Sequence, residues 1–97
     1  MTGDARVTVV AVIDVAADAV ALFQRYEELV LPLLAAHEGT LDRRLRTPDG
    51  TTEVHVLSFP SEAAYRGYVT DPRRAEHRSL LDGVELTFRV VESLTDA

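Results

Sequence analysis

The chain has 97 residues, 46% of them hydrophobic, enough for one domain around one core, taken as residues 1–97, and too few for two. A formal net charge of -6 with no continuous basic run argues against nucleic acid as a partner. Cys, Lys, Trp and Asn are all absent, which removes thiolate nucleophiles, disulfides, thiolate metal sites and Schiff-base chemistry together.

Arg6 to Asp14 is rich in β-branched residues and reads as a first strand, apolar on both faces and therefore central. Asp14 and Asp18 mark the start of a helix, and from about Ala17 to His37 apolar residues such as Val20, Phe23, Val30 and Leu34 recur at helical spacing. Pro32 removes one backbone hydrogen bond, so the helix should kink there or restart as a separate piece, and Gly39 is the expected C-terminal cap. Thr40 to Thr47 alternates weakly and is strongly charged, as suits an edge strand. The turn signal Thr47-Pro48-Asp49-Gly50 joins it in a hairpin to a strand over Thr52 to Phe59. Ser61 is placed to cap a second helix, Asp71 and Pro72 to start a third running to about Leu81, and Gly83 to close it before a last strand over Val84 to Val91.

The order strand, helix, strand, strand, helix, strand predicts an α+β, ferredoxin-like βαββαβ domain: a four-stranded antiparallel sheet with helices on one face. Period-two alternation assigns Val7, Val9, Ala11 and Ile13 to the helix side, with Leu41, Leu45, Val54, Val56, Leu86 and Phe88. The opposite face then holds Val10, Val12, Arg44, Arg46, Glu53, His55, Leu57, Phe59, Arg89 and Val91. A face so mixed suits a symmetric sheet-to-sheet contact with a second copy.

On Phe23-Gln24-Arg25-Tyr26, Pro32-Leu33-Leu34, His37-Glu38-Gly39, Leu57 to Tyr65 and Tyr68 to Pro72, the chain resembles the dimeric α+β barrel superfamily. The nearest likeness is to its small uncharacterised families and to the antibiotic-biosynthesis monooxygenase type. That resemblance implies a homodimer with sheets face to face, a small pocket in each protomer, and enzymes that often need no metal or bound cofactor. Related families usually carry two glycines after the helical His or aromatic residue, whereas Glu38 stands at the first of those places here. Quinone-forming monooxygenases and haem-degrading relatives typically rely on Asn and Trp, so neither activity carries over residue by residue.

Glu53 and His55, two apart on one strand, share a face, where the carboxylate can orient the imidazole and raise its basicity. With Arg44 or Arg89 holding the anion of an enolate or carboxylate, His55 would move a proton; the alternative is an ion network across the dimer contact. His37, Tyr26 and Tyr65 are candidate ligand-binding residues, with His37 alternatively capping its helix and Tyr65 and Tyr68 packing on one helix face. Arg73, Arg74, His77 and Arg78 form the one basic cluster; they read as a solvated helix face, with docking of an anionic ligand or partner as the alternative. No His pair has metal-ligand spacing and no Gly-rich phosphate loop is present, so neither metal nor cofactor is expected. No apolar stretch reaches bilayer-spanning length, and Met1 to Ala5 lacks the character of a signal peptide, which places the chain in the cytoplasm, away from membranes. The expected function is binding of a small hydrophobic or aromatic carbonyl compound by a homodimer, as a cofactor-independent monooxygenase or isomerase. A non-catalytic ligand sensor or accessory dimer is the alternative.

Overall fold

The β-branched run at the N-terminus and the split hydrophobic period of the middle segment give the elements in the expected order. The computed structural model describes residues 6–97. Strand β1 spans Val7–Val15, helix α1 Val20–Val30, β2 Thr40–Arg46, β3 Thr52–Phe59, α2 Glu62–Val69, α3 Pro72–Arg78 and β4 Leu86–Leu94. The sheet order is β2-β3-β1-β4 with every neighbouring pair antiparallel, and the helices cover one face. This is the ferredoxin-like arrangement. No helix among the described residues is long and apolar enough to cross a membrane.

Local chemistry explains most boundaries. Ser61 Oγ accepts from the Ala64 amide at 3.1 Å and Asp71 Oδ1 from the Arg73 amide at 2.9 Å, capping α2 and α3 as expected. Asp14 and Asp18 do not cap α1. Asp14 lies within β1, one residue before its end, and accepts from Thr52 Oγ1 at 2.7 Å, and a 3-10 turn over Ala17–Ala19 leads into the helix without a side-chain cap. Pro32 restarts the chain as a 3-10 segment, Leu31–His37, and there the left-handed cap is Glu38 (φ 57°) rather than Gly39. Gly39 is needed for space instead, since a Cβ there would lie 2.5 Å from Phe59 Cε2. In the β2–β3 turn Gly50 takes φ 77°, and Asp49 Oδ1 accepts from Thr47 Oγ1 and from the Thr51 amide and hydroxyl.

The largest correction concerns which way β3 faces. Val7 pairs with Phe59, Val9 with Leu57, Ala11 with His55 and Ile13 with Glu53, so Glu53, His55, Leu57 and Phe59 point to the helices and Val54 and Val56 away. Apolar residues occupy both faces of this strand, and the choice falls to the large ones: Phe59 is wholly buried beside Tyr65 and Tyr68. In β2 the register shifts between Leu41 and Arg43, a bulge at Asp42 that sets Arg44 opposite His55 and Arg46 opposite Glu53. Arg44 and Arg46 therefore share the helix side with Leu41, and Leu45 turns outward. Strand β4 keeps the expected sides, with Leu86, Phe88 and Val90 under the helices and Arg89 and Val91 outside.

The helix side holds two apolar clusters. Val9, Leu34, Leu57, Phe59, Tyr65 and Tyr68 belong to one, and Ile13, Phe23, Tyr26, Val30 and Leu81 to the other. Between them on the sheet lie the short side chain of Ala11 and the polar His55, which pair across β1 and β3. A small residue beside a polar one leaves room at the centre of the layer, and the pocket forms there.

Candidate functional site

The pocket is a cavity of about 310 Å³ between the sheet and the three helices. His55 and Ala11 contribute its sheet wall, Tyr26 and Glu27 come from α1, Tyr65 and Tyr68 from α2, Arg74 and Arg78 from α3, and Phe88 and Val90 from β4. Phe88 and Val90 stay partly exposed on the covered side because the helices leave this edge of the sheet open.

Glu53 is completely buried and serves as the hub behind the pocket. It accepts from His55 Nε2 at 2.7 Å, from Arg44 Nε at 3.0 Å and from Arg46, whose Nη2 lies 3.0 Å from its other oxygen. Burial pushes its carboxyl pKa up, but the hydrogen bonds from Arg44 and His55 and the charges of both arginines outweigh it and leave the group held below its ordinary value. An ionised carboxylate can only accept, so the proton it binds is that of Nε2 and the free lone pair of His55 lies on Nδ1. Burial, opposed by the Glu53 hydrogen bond, lowers the imidazole pKa, which keeps the ring a neutral base at neutral pH.

Glu27, 3% exposed, places a carboxylate oxygen 3.8 Å from His55 Nε2. Burial, and then the charge of Glu53, raise its pKa to about 7. The pocket thus has a neutral imidazole and a carboxyl near half-protonation at neighbouring positions, an arrangement able to take and return protons. Tyr65 donates its hydroxyl to Glu92 Oε2 at 2.8 Å, and burial together with that bond pushes its pKa up to about 12, so it acts as a fixed donor.

Of the candidate residues read from the sequence, His55, Glu53 and Arg44 come together, and Tyr26 and Tyr65 line the cavity. They assemble on the helix side, however, and not on the face assigned from alternation. Arg89 is on the uncovered face opposite Val12, across the sheet from His55. His37 does not line the cavity; its Nε2 sits 2.8 Å from Asp71 Oδ2, and its ring meets Tyr68 edge-on. Arg73 first, and then His37, hold the Asp71 carboxyl far below its ordinary range, so this pair fastens the end of the 3-10 segment to the start of α3. Arg44 faces Glu53 and is not part of the cavity wall.

Glu27, Arg74 and Arg78 were not picked out as site residues from the sequence. Glu27 follows Tyr26 directly in α1, a neighbour that alone could have drawn attention to it. Arg74 and Arg78, read as a solvated face, are one helical turn apart and overhang the cavity. Glu27, Glu53 and His55 also bring one ligand-type atom each within 4.8 Å of one another, a convergence that sequence spacing does not reveal. Arg44 and Arg46 occupy both oxygens of Glu53, and their charges oppose a divalent cation at that point.

No protein-family model matches the sequence, and no curated protein matches it. Solved structures do. SnoaB, a cofactor-independent oxygenase from Streptomyces nogalater, superposes with a TM-score of 0.74 at 20% identity over 95% of this chain and 94% of that one. A candidate antibiotic biosynthesis monooxygenase from Nitrosomonas europaea gives 0.76 at 12% identity over 95% and 90%, and one from Caulobacter crescentus 0.74 at 11% over 97% and 93%. The chain has the fold of the antibiotic-biosynthesis monooxygenases. At these identities the likeness covers the backbone and not the chemistry. The pocket between helices and sheet is therefore read on its own residues, with His55 and Glu27 in its wall and Glu53 behind it.

Proposed function

We propose that this chain is a homodimeric enzyme that removes a proton from a small aromatic or hydrophobic carbonyl compound held between the helices and the sheet. The observation that carries the reading is a buried, neutral His55 hydrogen-bonded to an ionised Glu53 at the wall of a largely apolar cavity. His55 is the base, Glu53 orients it and stabilises the imidazolium that forms, and Arg44 and Arg46 keep Glu53 ionised. Glu27 is the second proton carrier. The enolate left behind has two outcomes. Return of the proton at another carbon isomerises the compound, whereas reaction with dioxygen converts the activated CH2 to a carbonyl and releases water, with no metal or bound cofactor. A fold shared with SnoaB, itself a cofactor-independent oxygenase, supports the second.

Exchange of the activated CH2 protons of 2-tetralone in D2O, followed by NMR, reports the common first step, and an oxygen electrode separates the outcomes. His55→Ala is expected to slow exchange by about a hundredfold or more. Unchanged exchange would remove His55 from the mechanism, and binding without exchange in the native protein would favour a ligand sensor or accessory dimer.

The dimer reading rests on the corrected sheet faces. With Glu53 and His55 turned inward, the uncovered side presents Val10, Val12, Val54, Val56, Leu45 and Val91, more apolar than alternation suggested. Leu45 and Val91 are 44% and 38% exposed in the single chain, as expected of a face that a second sheet covers. Light scattering after size exclusion should give twice the chain mass for the native protein and for His55→Ala, and the single mass for Val12→Arg, which places a charge at the centre of the contact. A native protein of single mass would end the dimer reading.

A further inference from the structure

Two arginines overhang the pocket with no carboxylate of their own. Arg74 lays its guanidinium carbon 4.5 Å above the Tyr68 ring and donates Nη1 to the Val69 carbonyl at 3.3 Å, while its Nε is buried without any hydrogen-bond partner. Arg78 sits 5.2 Å over the ring of Phe88. Among the described residues neither forms an ion pair, as is also true of Arg6, Arg25, Arg43 and Arg89, but of these six only Arg74 and Arg78 line the pocket. Both arginines, with Tyr26 and Val69, also line an adjoining space of about 240 Å³. The two carboxyl groups of the pocket wall are otherwise engaged: Glu92 accepts from Tyr65, and Glu27 stands next to His55.

With Nη1 spent on a backbone carbonyl, the Nε–Nη2 edge is the one that matches the two oxygens of a carboxylate; Nε is closed off from solvent, so binding must turn this edge towards the cavity. A buried Nε with no acceptor is a donor without its partner. The faces of Tyr68 and Phe88 under these guanidinium groups fix their planes and supply flat apolar surface beside them.

We propose that Arg74, assisted by Arg78, binds the carboxylate of the ligand, so that the substrate class is a small aromatic carboxylate with its enolisable part towards His55 and Glu27. The proposal rests on the pocket being the ligand site, as argued above, and is independent of the proton chemistry assigned to His55.

The test compares 2-naphthoate with its neutral near-isostere 2-acetylnaphthalene by isothermal titration calorimetry on the full chain near neutral pH. Native protein should bind naphthoate about tenfold or more tightly than the ketone, with added salt weakening only the naphthoate. Arg74→Gln should abolish the preference by weakening naphthoate far more than the ketone, and Arg74→Lys should restore part of it. Should Arg74→Gln fail to fold, Arg78→Gln and the salt dependence of the native protein carry the same comparison. Equal affinities for the two probes in the native protein would overturn the carboxylate site and leave the His55 reading standing. Failure of both probes to bind would overturn it too, together with the pocket as ligand site. A clear preference for naphthoate in a protein showing no His55-dependent exchange would support the site and remove the proposed reaction alone.

Discussion

Replacing Glu53 with Ala is expected to lower the unfolding free energy by about 3–5 kcal/mol near neutral pH, as read from urea denaturation. The side chain is wholly buried and joins three partners, Arg44, Arg46 and His55. Its removal opens a cavity under α1 and leaves two guanidinium groups facing each other with no anion between them, and mutual repulsion then adds to lost hydrogen bonding. Glu53→Gln, which keeps the shape and one acceptor, should fall between Ala and native. The exposed pair Glu62–Arg66 supplies the contrast: Glu62→Ala should change stability by less than about 1 kcal/mol despite losing a salt bridge of its own. A Glu53→Ala effect no larger than that of Glu62→Ala would show that the inner network is not a structural hub.

Glu27 should produce the opposite behaviour. Its folded pKa is raised from 4.5 to about 7, so the contribution of this group to stability is complete below pH 4.5, where folded and unfolded chains both hold the proton. As pH climbs, the unfolded chain ionises first and gains, and the native state loses about 3 kcal/mol by the time pH passes the folded value. Glu27→Gln keeps the size of the neutral carboxyl and abolishes the titration. The variant should therefore match native protein near pH 4 and exceed it by about 3 kcal/mol near pH 8, with the gap opening between those limits. Parallel stability curves for the two proteins would overturn the raised pKa. Glu53 runs the other way: its depressed folded pKa confers stability present above the ordinary glutamate value and lost as pH falls through the folded one. Two glutamates in one network thus pull against each other, and the native protein keeps one of them at a cost in stability at neutral pH. Such a cost is the usual mark of a group retained for what it does in a pocket.

The strand and helix order, the hairpin turn at Thr47 to Gly50, the break at Pro32 and the caps at Ser61 and Asp71 were all legible from residues along the chain. Each is dictated by chemistry within a few positions: a fixed φ, a missing amide hydrogen, a hydroxyl or carboxylate beside free amides. The grouping of Arg44 with Glu53 and His55 was legible as well, because residues that share a parity on paired strands share a face.

Which face they share is a tertiary decision. Alternation defines two sets but does not name the inner one, and in β3 both sets contain apolar residues, so the burial of Phe59 against Tyr65 and Tyr68 chose. One extra residue at Asp42 then carried Arg44 and Arg46 to the same side as Leu41. The meeting of Glu27, His55 and Arg74 came from three elements distant in sequence, and no spacing rule connects them. The sequence by itself determined the layout of a ferredoxin-like domain and a Glu53–His55 pair at its centre. Only the folded chain decided that this pair turns away from the uncovered sheet face and onto a pocket. The cause is that the one aromatic side chain at the strand end, Phe59, once buried against Tyr65 and Tyr68 of α2, obliges the whole strand to follow it.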